Sequence, residues 1–102
     1  MGESMYEEEN ISITYFPYPG EEYVLKVKST LGDEISIVFD QRILEDFSGR
    51  DLEGLSQGLE NLDTIRYGML SRTDVIRIHR GFMEAREKYE EGLEKFRKRQ
   101  NL

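Results

Sequence analysis

Alternation of apolar and polar residues with a period of two marks three segments in the first forty residues. They are residues 11–16 (ISITYF), 23–28 (YVLKVK) and 35–39 (ISIVF). A period of two is typical of strands that bury one face, and short connections containing glycine or proline separate the segments. Such connections favour antiparallel pairing in chain order. The pattern therefore predicts a three-stranded antiparallel meander.

The residues before the first predicted strand show no apolar periodicity. Residues 1–9 end in three consecutive glutamates, Glu7 to Glu9. Acidic chain ends without apolar anchors are usually poorly ordered. We therefore expect a flexible acidic tail over residues 1–9, followed by a single α+β domain over residues 10–102. A chain of 102 residues has room for one hydrophobic core.

Beyond residue 40 the apolar spacing changes to three and four, which is typical of helices. Asp40 is a predicted N-cap for a short helix over residues 41–47, and Gly49 a predicted end. A second short helix is predicted from an apolar stripe of leucines at 52, 55, 59 and 62. Residues 63–70 fit both patterns; we favour a helix or irregular structure there.

The C-terminal third predicts one long helix over about residues 73–99. Ser71 and Asp74 have the spacing of a capping box, and no proline follows them. Acidic residues precede lysines by four positions at three places, an order that stabilises exposed helices. Such a helix is roughly 40 Å long at about 1.5 Å per residue. A domain of this size has a radius of gyration of about 13 Å, so the helix must project or find a partner.

Apolar residues along this helix follow alternating spacings of three and four. The first half has a wide apolar surface, sufficient to pack on the predicted sheet, whereas the second half keeps a narrow seam. This seam packs either on the leucine stripe of residues 52–59 or on a second copy of the chain. We favour the second copy and predict a dimer seam at Phe82, Tyr89, Leu93 and Phe96.

Composition excludes several kinds of site. The chain has no cysteine and one histidine, which removes disulfides, thiolate zinc sites, cysteine nucleophiles and multi-histidine metal sites. His79 has no acidic or histidine residue at the neighbouring helical positions, so we interpret it as structural. The glycines match no phosphate-binding motif. We therefore predict no catalytic residue, no metal, no cofactor and no enzymatic activity.

Charge is divided unevenly along the chain. The net charge is −7, yet residues 1–63 carry 15 acidic and 4 basic side chains, and residues 64–102 carry 6 and 10. Arginine together with helix N-terminal amides can bind phosphate oxygens. Alternatively, the basic side chains pair with the acidic half of the protein, which we favour because a pI near 4.8 is unlike a nucleic-acid module. The candidate phosphate-binding residues are Arg66, Arg72, Arg77 and Arg80.

No apolar run approaches the roughly 18 residues of a membrane span, and the start of the chain lacks the features of a signal peptide. We expect a cytoplasmic protein without a membrane partner. Abundant charge with few amides and no cysteine is typical of thermophile proteins. The predicted function is a non-enzymatic interaction or assembly module that forms a homodimer through its C-terminal helix and contacts another protein. The alternative is a nucleic-acid-associated or regulatory domain that uses the arginine cluster.

Overall fold

The computed structural model of the chain describes residues 2–62, 65 and 69–100. It shows an α+β fold, as predicted: an antiparallel sheet in the order β1-β2-β3-β4, followed by three helices, the last of them long. The strands are β1 (Glu3–Glu8), β2 (Ile11–Phe16), β3 (Glu22–Lys28) and β4 (Glu34–Phe39), and the helices are α1 (Gln41–Ser48), α2 (Leu52–Glu60) and α3 (Arg72–Gln100).

Strands β2, β3 and β4 form where the period of two predicts them. Tyr23, Leu25 and Val27 are all buried on the helix side of β3, while the alternate residues face the open side of the sheet. Residues 29–33 connect β3 to β4, and within this turn the N–H of Gly32 donates to the carbonyl of Ser29 over 2.9 Å. Gly32 adopts a φ of 98°, which glycine tolerates without strain.

The prediction of three strands is a miscount, because a fourth strand lies where we expected an acidic tail. β1 pairs with β2, and the pairing register shifts between Ser4 and Tyr6, as at a β-bulge. Met5 and Tyr6 are consecutive and both are buried. Two neighbouring side chains on one side break the period of two, so the apolar pattern gives no signal for this strand.

The two short helices begin at aspartate caps. Asp40 accepts a hydrogen bond from the N–H of Ile43 over 3.0 Å, and Asp51 accepts one from Gly54 over 2.8 Å. These side chains satisfy backbone donors that have no partner within the helix. Leu55 and Leu59 of α2 are buried, as the leucine stripe predicts. Most of residues 63–70, whose pattern is ambiguous, lie outside the described residues.

The first half of α3 packs on the sheet and on the short helices. Phe82 is 1% exposed; its ring centroid lies 5.0 Å from that of Phe39 in β4 and 5.6 Å from that of Phe47 in α1. The core therefore lies between one face of the sheet and the helical layer. The buried positions of α3 all precede residue 86: Asp74, Val75, Ile78, Gly81, Phe82 and Ala85.

The prediction of a single long C-terminal helix is confirmed. α3 has 29 residues, equivalent to about 43 Å at about 1.5 Å per residue. The molecule measures 51 × 28 × 24 Å, and residues 90–100 are all exposed. Over the described part of the chain, no helix is both long and apolar enough to cross a membrane.

Candidate interaction surface on the C-terminal helix

The structure divides the predicted dimer seam into a buried part and an exposed part. Phe82 belongs to the core of its own chain, so its assignment to an intermolecular seam is wrong. The heptad spacing could not reveal this, because one helical face serves both the sheet and the projecting segment. Tyr89 is partly buried against the edge of the core and marks the boundary between the two parts.

Beyond Tyr89, the helix continues its core-facing stripe into solvent. Leu93 is 39% exposed and Phe96 57% exposed, although both lie on the same helical face as Ile78 and Phe82. Packing of these residues on the leucine stripe of α2 is contradicted, because Leu55 and Leu59 are buried in the core while Leu93 and Phe96 are exposed. We call Tyr89, Leu93 and Phe96 the terminal seam.

The charges around the terminal seam are ordered along the helix. Three acidic residues come first and four basic residues follow, so the projecting segment has a negative and a positive end. These residues are exposed. The acidic ones are Glu90, Glu91 and Glu94, and the basic ones are Lys95, Arg97, Lys98 and Arg99.

Two of the four candidate phosphate-binding arginines contact the end of β1 and the turn that follows it. The guanidinium of Arg77 donates to the carbonyl of Glu9 over 2.7 Å and lies 3.4 Å from the carboxylate of Asp74. Arg80 lies 4.0 Å from the carboxylate of Glu8. The contacts match the alternative in which the basic half of the chain pairs with its acidic half.

Of the four arginines, the three that the structure describes share no hydrogen-bond or ion-pair partner. Arg72 is exposed at the first turn of α3. Arg66 lies outside the described residues. Arg77 and Arg80 contact different residues: Arg77 contacts Asp74 and the carbonyl of Glu9, and Arg80 contacts Glu8.

The sequence predicts only part of a buried polar cluster around Asp74. The capping box is present: Ser71 N–H donates to Asp74 over 2.9 Å, and Asp74 N–H donates to the Ser71 hydroxyl over 3.2 Å. The same carboxylate also accepts hydrogen bonds from the hydroxyl of Ser29 (2.9 Å) and the N–H of Thr30 (3.0 Å). Asp74 thus joins the β3–β4 turn to the start of α3. The turn sequence carried no signal of this distant partner.

The environment of Asp74 favours its charged form. Burial by itself would raise the pKa of this carboxyl, but hydrogen bonds from Ser71, Thr30 and Ser29 outweigh it and lower the pKa to about 2. The carboxylate is fully buried and surrounded by donors from its own chain. Asp74 therefore has a structural role: it connects the β3–β4 turn to the start of α3.

The single histidine also makes a contact within the fold. His79 Nε2 lies 3.0 Å from the carbonyl oxygen of Arg50, in the connection between α1 and α2. Among the residues that the structure describes, no group of three or more histidine, aspartate or glutamate side chains could hold a metal ion.

Comparison with models of protein families, with curated proteins and with solved structures finds no match.

Proposed function

We propose that the protein is a non-enzymatic assembly module, in which two copies associate through the terminal seam. The observation that supports this proposal is the exposure of Leu93 and Phe96 on the face that packs on the core further upstream. Burial of a large apolar side chain contributes roughly 1.5–3 kcal/mol, so covering both residues and the rest of Tyr89 gives a favourable contact.

The order of charges favours an antiparallel arrangement of the two helices. In that arrangement the acidic start of one projecting segment, Glu90 and Glu91, lies beside the basic end of the other, Arg97 to Arg99. A parallel arrangement instead places like charges beside each other, which is destabilising. Leu93 of one copy then packs near Phe96 of the other.

The proposal extends to a cytoplasmic homodimer, with another protein as a further partner. Absence of cysteine supports this location, because the chain depends on no disulfide. The arginine cluster carries no second proposal, since Arg77 and Arg80 are engaged by β1 and Asp74. The seam is short, so we expect association at micromolar or higher concentration.

Replacement of Leu93 by aspartate tests the terminal seam. Leu93→Asp puts a charge into the centre of the apolar contact, and desolvating it costs several kcal/mol. We expect the weight-average mass from light scattering, measured between about 10 and 500 μM, to fall at every concentration where the unaltered chain associates.

Lys95→Asp is the matched control. It adds the same side chain two residues away, on the opposite side of the helix, and changes the charge by one unit more than Leu93→Asp does. We expect it to leave association largely intact. Equal loss in both variants would attribute the effect to charge rather than to the seam, and an unaltered chain that stays monomeric at 500 μM contradicts the proposal.

A further inference from the structure

The two outer edges of the sheet differ in how they are protected. At the β1 edge, the ammonium of Lys88 donates to the carbonyl of Ser4 over 2.5 Å, and in the turn after β1 the guanidinium of Arg77 donates to the carbonyl of Glu9. β1 also carries a bulge and three glutamates, Glu3, Glu7 and Glu8. Bulges, charges and covering groups are the means by which proteins prevent edge strands from pairing with other chains.

Within the part of the chain that the structure describes, the β4 edge has fewer of these protections. Its sequence, EISIVF, contains no proline, no bulge in its pairing with β3, and one charge, Glu34 at its start. Val38 is 60% exposed, and Ser36 is exposed beside it. Within the described residues, no hydrogen bond reaches β4 from any element other than β3.

The backbone groups that point outward from β4 follow from the turn before it. The N–H of Ser29 donates to the carbonyl of Asp33, so this pair is hydrogen-bonded. Hydrogen-bonded pairs alternate along an antiparallel ladder, which makes Ile35, Ile37 and Phe39 the residues bonded to β3. The intervening Glu34, Ser36 and Val38 direct three N–H and three carbonyl groups away from the sheet.

We infer that β4 pairs with β4 of a second copy, antiparallel and centred on Ser36, to make a continuous eight-stranded sheet. In this register Ser36 faces Ser36 of the second copy and Glu34 faces Val38. All six outward backbone groups of each strand are then hydrogen-bonded. Ile35 faces Ile37 on the helix side, which extends the buried face across the junction.

The strand is self-complementary in this register and poorly so in others, which favours a second copy over an unrelated peptide. After a shift by one residue, the outward N–H and carbonyl groups of one strand lie opposite residues whose own groups are bonded to β3, and the buried face of one copy meets the open face of the other. A shift by two either brings Glu34 opposite Asp40 or leaves Val38 without a strand residue to pair with. Like charges directly opposite each other destabilise a sheet.

This contact is distinct from the terminal seam, because β4 and the end of α3 are different surfaces of the chain. Each contact is two-fold symmetric. If both form, copies are linked alternately through strands and through helices, giving either a closed ring, such as a tetramer, or an open chain. Each contact can also be removed without the other.

Disulfide trapping tests the strand pairing, because the chain has no cysteine of its own. In the proposed register, Ser36→Cys brings two thiols to the same point of the ladder, where Cα atoms are about 5.5 Å apart, within the range that a disulfide spans. With oxidised glutathione as the oxidant, we expect disulfide-linked dimers at least tenfold faster than for Ser4→Cys, an exposed serine on the protected β1 edge.

The experiment is carried out in the unaltered chain and in the Leu93→Asp background. Persistence of fast trapping with Leu93→Asp supports strand pairing that is independent of the terminal seam. Equal trapping rates for Ser36→Cys and Ser4→Cys overturn the inference, whatever the terminal seam does. As a second measurement, we expect Ser36→Lys to lower the light-scattering mass when it is added to Leu93→Asp. A double variant that keeps the mass of a dimer also contradicts the inference.

Discussion

At the scale of single residues, Asp74 shows how one carboxylate holds separate parts of the fold together. It caps α3 through Ser71 and binds the β3–β4 turn through Ser29 and Thr30. Hydrogen bonds to a charged group contribute roughly 1.5–3 kcal/mol each when buried, and an unsatisfied donor costs a similar amount. The capping box is readable from the local sequence, but the contact with a turn more than forty residues away is not.

Replacement of Asp74 by asparagine removes the charge while keeping the shape. We expect Asp74→Asn to lower the free energy of unfolding by about 2 kcal/mol at pH 7, because hydroxyl and N–H donors lose a charged acceptor. Chemical denaturation monitored by circular dichroism measures the change. Asp33→Asn, which alters an exposed carboxylate next to the same turn, is the control and should change stability by less than about 0.5 kcal/mol.

The lowered pKa of Asp74 also predicts how stability depends on pH. A carboxyl whose pKa is about 2 in the folded protein and about 3.9 unfolded binds protons more readily when unfolded. Its contribution is therefore fully present above about pH 4 and is lost as the pH falls towards 2. We expect the difference in unfolding free energy between the unaltered chain and Asp74→Asn to shrink over this interval. A difference in unfolding free energy that stays constant over this interval contradicts the lowered pKa of Asp74.

At the scale of elements, the position of α3 on the sheet depends on a close approach at Gly81. A Cβ atom at this position would lie 3.0 Å from Cδ2 of the Tyr6 ring and 3.3 Å from Cδ1 of Ile13. Because glycine has no side chain, the helix can lie directly on β1 and β2, in contact with Tyr6 and Ile13. The second glycine of the helix, Gly92, has no atom within 4 Å of such a Cβ and has no comparable role.

The two glycines give a matched pair of substitutions in one helix. We expect Gly81→Val to lower the free energy of unfolding by about 1–3 kcal/mol, because the added methyl groups meet the Tyr6 ring in a packed core. Gly92→Val makes the same chemical change in the projecting segment, and we expect a change within about 0.5 kcal/mol. Thermal and chemical unfolding measure both. Equal changes in the free energy of unfolding for the two variants would attribute the effect to helix propensity rather than to packing.

At the scale of the whole molecule, the globular part and the projecting part of α3 have different reasons to be helical. Up to Ala85 the helix buries apolar side chains in the core, whereas residues 90–100 are exposed along their whole length. Isolated helices shorter than about 12–15 residues are marginal in water. The projecting segment is helical as a continuation of a packed helix, with acid-before-lysine pairs that add support.

Removal of the projecting segment tests this division. A chain that ends at Gly92 lacks Leu93, Phe96 and the basic end of α3 but keeps every buried residue of the helix. At low micromolar concentration, where we expect the unaltered chain to be monomeric, the shortened chain should unfold within a few degrees of it. Circular dichroism measures the midpoint. A shift of more than about 10 °C would show that the segment contributes to the core of its own chain.

The sequence by itself determined the elements whose signals are local. Apolar periodicity gave β2, β3 and β4, and aspartate and serine caps gave the starts of α1 and α3. The length of α3 also followed from its uninterrupted pattern. Each of these features depends on residues within one or two turns of each other, where spacing alone carries the physical information.

Tertiary structure decided everything that depends on which residues meet across the chain. It made a strand of the acidic N-terminal segment, because backbone pairing with β2 and burial of Met5 and Tyr6 outweigh the absence of a pattern. It placed Phe82 in the core and Leu93 outside, although both lie on one helical stripe. The apolar spacing shows which face of the helix is apolar, but the extent of the sheet determines how much of that face is buried and how much stays exposed.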